Sequence, residues 1–132
     1  MTFSHEDDSH SQEEEPFPYW FGRILGVFHA KVNYVGLDLP TVHEKSVDFL
    51  FVRWYGRDEI GGWRSKKLHR IGFVPGNDLS AFGFLDPKEI IRAVHLIPAF
   101  QYKKRSDLLG PSATARTRME RDQDWDSYYV SM

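Results

Sequence analysis

Between positions 49 and 74 the chain reads FLFVRWYGRDEIGGWRSKKLHRIGFV, two apolar aromatic runs around a glycine-containing loop. Residues 53–70 hold six Lys/Arg against two acids, with Trp54, Tyr55 and Trp63 among them. Cations interleaved with aromatics suit contact with a nucleic-acid backbone. Lys and Arg neutralise phosphates and release counterions, and a ring can stack on a base. Arg57, Arg64, Lys66, Lys67 and Arg70 are the phosphate candidates, with Trp63 or Tyr55 placed for stacking. A solvated loop whose Trp packs on a barrel rim explains the same residues structurally. Nothing here resembles a base-reading element, so the binding expected is weak, salt-sensitive and non-specific.

A second chemistry is cation–π recognition. Trp20, Trp54, Tyr55, Trp63, Phe82 and Phe84 could wall a cage for a methylated lysine. Trp20, Trp54, Tyr55 and Phe82 are the candidates for such a peptide pocket, and burial in a core is the alternative for all of them. His29, His69 and His95 fall on expected strands, but His43 completes no HxH or HxxxH pair with them, so no metal site is expected. Asp86 and Glu89 read as helix caps. Asp58 and Glu59 lie among cations, where local pairing accounts for them, and Asp48 stands alone. No nucleophile motif, phosphate-cradling glycine loop or dinucleotide fingerprint is present. The chain is therefore expected to be no enzyme and to use no cofactor.

These residues need a small scaffold. A chain of 132 residues suffices for one domain, and its 15% aromatic content can fill a small core without disulfides. Cysteine is absent, which fits a reducing compartment. No apolar run approaches the ~20 residues of a membrane span, and no membrane partner is expected. Residues 1–16 carry six acids and no Lys or Arg, whereas the other 116 carry 17 basic and 13 acidic side chains, a net of +4. An acidic, disordered tail on a mildly basic body follows.

Along the chain, residues 19–35 alternate, with Trp20, Ile24, Phe28, Ala30, Val32 and Tyr34 apolar at even positions. Period two predicts a strand, and Gly22 and Gly26 predict a bend or bulge in it. Residues 47–55 and 67–74 predict two further strands around the basic loop. The PGND sequence at 75–78 predicts a turn. Residues 81–85 predict a short edge strand, and Asp86-Pro87 predicts a short helix near 87–92. Residues 94–97 predict a closing strand. The tract 103–124 reads as a charged linker, and 125–132 (WDSYYVSM) as an aromatic strand or docking segment. The expected core is Trp20, Ile24, Phe28, Val32, Phe49, Phe51, Trp54, Ile71, Phe73, Phe84, Leu96 and Ile97. The expected fold is mainly β, a small partly open antiparallel barrel of SH3- or BAH-like type spanning residues 17–102.

Residues 19–29 (YWFGRILGVFH), 48–56 (DFLFVRWYG), 67–74 (KLHRIGFV), 81–87 (AFGFLDP), 91–100 (IRAVHLIPAF) and 125–132 resemble the C-terminal region of Plavaka-type transposase-like proteins. These belong to CACTA-like DNA transposons of basidiomycete fungi. The resemblance implies a non-catalytic, transposase-derived module, because the family's nuclease domain would lie upstream in a longer chain. It also implies a truncated or degenerate element-derived gene, or an accessory fragment, since the family pattern runs on past the YYVSM stretch. DNA, a chromatin protein or other parts of a transposase are the partners it implies, in an intracellular and in particular nuclear setting. A chromatin or peptide-binding module, or a non-functional remnant, are the other readings.

Overall fold

Two long strands dominate the chain because apolar and β-branched residues recur in them with a period of two. The structure, a computed structural model, describes residues 1–3, 19–34, 43–57, 68–116, 119 and 123–132. Strand β2 (Tyr19–Tyr34) and strand β3 (His43–Arg57) pair antiparallel along most of their lengths, from Phe21↔Tyr55 to Tyr34↔His43. The pairing slips between Ile24 and Gly26, where Leu25 is an extra residue on β2. That β-bulge lies within the bend expected from Gly22 and Gly26. Strand β3 begins earlier than its apolar run because partners on β2 continue to Tyr34, and ends later because Gly56 and Arg57 pair with residues 71–72.

The far edge of β3 is shared by two strands lying end to end. Strand β4 (His69–Phe73) pairs with Tyr55–Arg57, and β5 (Phe82–Leu85) pairs with Leu50–Arg53. Between them, Pro75 accepts a turn hydrogen bond from Asp78 (2.9 Å), and Leu79–Ala81 is a single 3-10 turn. The sheet continues from β4 to β9 (Tyr128–Ser131) and ends at β6 (His95–Pro98). At the other side, β1 (Thr2–Phe3) adds to β2 at Trp20 and Tyr19. Met1 then turns to residues 91–92, where its carbonyl accepts from the Ile91 amide (3.1 Å). Lys104–Arg105 (β7) and Asp124–Trp125 (β8) form a separate two-stranded ribbon inside and beside the tract read as a linker. The result is the small, mainly-β, partly open antiparallel barrel expected, an open and curled half-barrel.

The helix expected near 87–92 is one 3-10 turn, Pro87–Glu89. Asp86 does cap it, with Oδ1 accepting from the Lys88 amide (2.9 Å). Ile90 returns to extended backbone (φ −73°, ψ 124°), since the β-branched pair Ile90-Ile91 disfavours helix.

The core differs from the expected one. Phe21, Tyr55, Ile71, Tyr128 and Val130 form the buried cluster, with Tyr19, Phe73, Val94, Leu96 and Trp125 packed against it. Ile71, Phe73 and Leu96 were expected there. On β2 the physical reason for the difference is the bulge. Before Leu25 the inward residues of β2 are odd, Phe21 and Arg23, opposite Tyr55 and Arg53. After it they are even, Gly26 and Phe28, opposite Phe51 and Phe49. One extra residue exchanges the faces, so the even-numbered apolar set is not one physical face. Trp20 and Ile24 lie on the outer face with Trp54, Val52 and Leu50, and of these Val52 and Leu50 are buried. Phe28 and Val32 lie on the inner face but beyond the core, and are exposed, as are Phe84 and Ile97.

Candidate functional site

The inner face of the half-barrel carries two arginines between its core and its open end. Arg23 on β2 and Arg53 on β3 are cross-strand partners, so both side chains rise from the same place on the same face. The Arg23 guanidinium lies over the rings of Tyr128 (5.4 Å), Phe73 (5.5 Å) and Tyr55 (5.9 Å). It donates to Asp124 Oδ1 at 2.7 Å, and Arg116 meets the other carboxylate oxygen at 2.8 Å. Burial opposes the charge on Arg23, but Tyr55, Tyr128 and Asp124 outweigh it and its pKa is raised. Arg53, only 1% exposed, sits between Phe82 (4.7 Å) and Phe73 (5.0 Å) and donates to the carbonyls of Ala81 (3.1 Å) and Leu108 (3.4 Å). Buried guanidinium groups demand such partners. The segment 108–116 is thereby held across the inner face, and Ser112 also donates to the Leu25 carbonyl at the bulge (3.4 Å).

Beyond this layer the same face continues as a row of phenylalanines. Phe82 stacks on Phe51 (centroids 5.8 Å apart, 13° between planes), and Phe51 meets Phe84 at 5.3 Å. Phe84 meets Phe49 edge-on at 5.6 Å, and Phe49 stacks on Phe28 at 5.3 Å and 18°. Strand pairing explains the row: Phe28↔Phe49 and Phe51↔Phe84 are direct partners, with Phe82 next along β5 on the same face. Phe82 is 41%, Phe28 47% and Phe84 70% exposed. Val32, two partner positions further out, is exposed as well. The opposite face of this part of the hairpin is polar. His29 Nδ1 lies 2.5 Å from Asp48, and Lys31 lies 3.3 Å from Glu44, all four exposed. The hairpin thus has a wet face and an apolar face, and the apolar one outruns the strands that would cover it.

The sequence-derived candidates fall in several places. Trp63, Arg64, Lys66 and Lys67 lie outside the described residues. Arg57 ends β3, exposed. Arg70 is half-buried, with its guanidinium 4.7 Å over the Tyr102 ring and donating to the Tyr102 hydroxyl. Trp20 and Trp54 meet edge to face at 5.4 Å on the outer face, whereas Tyr55 is buried on the inner face and Phe82 belongs to the row. The structure therefore splits these four between two faces. Among the described residues no group of three or more His, Asp or Glu is arranged to hold a metal ion. Sequence reasoning missed the row as a surface because it assigned Phe28, Phe49, Phe51 and Phe84 to the core. Two signals were present. The Phe-x-Phe spacing at 49–51 and 82–84 marks one face, and His29, Lys31 and Asp48 mark the other as solvated.

Comparison with known proteins finds no matching family model, no matching curated protein and no matching solved structure.

Proposed function

We propose that this chain is a non-catalytic binding module that seats an apolar segment of a partner protein on the phenylalanine row. The observation that carries the reading is the contiguous ring chain from Phe82 to Phe28, three of whose members are more than 40% exposed. With Val32 they leave on the order of 400 Å² of apolar surface in water, within the ~300–600 Å² of the largest apolar patch on a monomer, a patch that is often functional. Stacking on nucleic-acid bases suits the row less well. Phe28–Phe49 and Phe51–Phe82 already stack on each other, Arg53 beside them is buried, and Lys45, opposite Val32, is the exposed cation at the row's far end among the described residues.

The competing reading is a transposase-derived module that contacts the DNA backbone through residues 57–70. It rests on the charge of that stretch in the sequence, from which Arg70 is partly withdrawn by Tyr102. Selection of binders from a random displayed-peptide library separates the two. Apolar peptides whose binding is lost in Phe84→Ser, and which ignore salt, are the expected result. No selectable peptide, together with a generic DNA duplex bound with steep salt dependence, overturns it.

A further inference from the structure

The edge of β2 beside the row determines how a partner segment would dock. β1 occupies that edge only at Tyr19 and Trp20, and Ser112 reaches it at Leu25. From Val27 to Asn33 no described strand pairs with it, and the residues there are exposed apart from half-buried Ala30. An open edge presents unpaired amides and carbonyls, a template for one more strand. We infer that an extended segment of a partner protein adds to β2 along Val27–Asn33, its large apolar side chains continuing the Phe28–Phe49–Phe84 row and its alternate, acidic side chains lying beside His29 and Lys31. This inference rests on the proposed binding function and specifies its ligand.

Three observations select that occupant. The edge already accepts an antiparallel strand at its other end, so pairing there is compatible with the twist of the sheet. Within Val27–Asn33, strand β2 carries Lys31 on its outer face and no acid. Its ion-pair partner Glu44 sits one strand inward, so the Lys31 ammonium stands at the edge. An acidic residue on the incoming strand would meet it as an opposite-charge cross-strand pair. Finally, the exposed apolar area is about half of the ~800 Å² per partner of a standard stable interface. A second copy meeting row to row buries too little. A strand that gains main-chain hydrogen bonds as well does not depend on that area alone.

The experiment uses the full chain and a synthetic peptide of about eight residues alternating valine with glutamate. Binding is followed by calorimetry and by amide hydrogen exchange. The peptide is expected to bind, to slow exchange at amides within 27–33, and to weaken by about tenfold or more when alternate backbone nitrogens are methylated. Lys31→Glu is expected to shift preference toward a second peptide of the same length that alternates valine with lysine. Binding that is lost in Phe84→Ser yet indifferent to backbone methylation, with no protection at 27–33, overturns strand addition while leaving the row as the binding surface. Absence of binding by every peptide, including apolar ones selected from the library, overturns both. Concentration-dependent protection of 27–33 without peptide makes a second copy the occupant and overturns the assignment to a partner.

Discussion

Asp124 is the residue on which the interior charge depends. It is 3% exposed and touches two guanidinium groups, from Arg23 in the first long strand and Arg116 in the covering segment. Asp124→Asn keeps the shape and removes the counter-charge, so both arginines stay buried without it. The expected loss is about 3–5 kcal/mol, read as a fall in the urea midpoint at unchanged slope. Tyr55 provides a second test. Its hydroxyl is buried beside the Arg23 guanidinium, and burial outweighs that guanidinium to raise its pKa above the ordinary value of 10.0. The folded protein therefore keeps the phenolic proton where the unfolded chain gives it up, so the unfolded state binds fewer protons. Stability falls as pH rises past about 10. In Tyr55→Phe that fall should be smaller, while stability at pH 7 changes by no more than about 1.5 kcal/mol, the net worth of one hydrogen bond. Melting curves from pH 8 to 11 check both statements. Neither Asp124 nor Tyr55 was legible as a buried polar residue. Asp124 stands in a charged tract that reads as linker, and Tyr55 reads equally well as pocket wall or core.

At the scale of the element, the β2–β3 hairpin does most of the organising. Its outer face carries the Trp54 indole, which fits because the flanking strands offer glycine. A Cβ on Gly83 would lie 2.6 Å from Trp54 Nε1, and one on Gly22 would lie 3.1 Å from the ring. Gly83→Ala must push the indole aside, at an expected cost of about 1–3 kcal/mol and a shifted tryptophan emission. The two faces also predict opposite mutational responses on one strand pair. Leu50→Ala opens a cavity at a buried site and should cost about 2–5 kcal/mol, whereas Phe84→Ala, on the neighbouring β5, should change stability by less than about 1 kcal/mol, because that ring is largely in water. Equal losses in the two variants would mean that the row is core. Period two revealed both strands and the polar character of one face at His29, Lys31 and Asp48. It did not reveal the exchange of faces at Leu25, because a bulge is decided by what β3 pairs with rather than by the local pattern.

At the scale of the molecule, the last residues complete the sheet. Tyr128–Ser131 lies between β4 and β6, pairing with both, so the C-terminus is an interior strand. A chain ending at Gln123 loses that strand together with Asp124, and should show no cooperative thermal transition by circular dichroism. A retained transition would mean that β2, β3 and β5 form a fold by themselves. By itself the sequence determined the small β-rich class, the positions of most strands, the capped turn at Asp86 and the absence of disulfides. Each of these follows from local alternation, turn chemistry or composition. Only the tertiary structure decided which face of each strand is buried, that β9 enters the middle of the sheet, and that the aromatic row extends past its cover. Period two distinguishes two faces of a strand but does not choose between them. That choice comes from partners far away in sequence, such as Val130 beside His69 and Asp124 beneath Arg23.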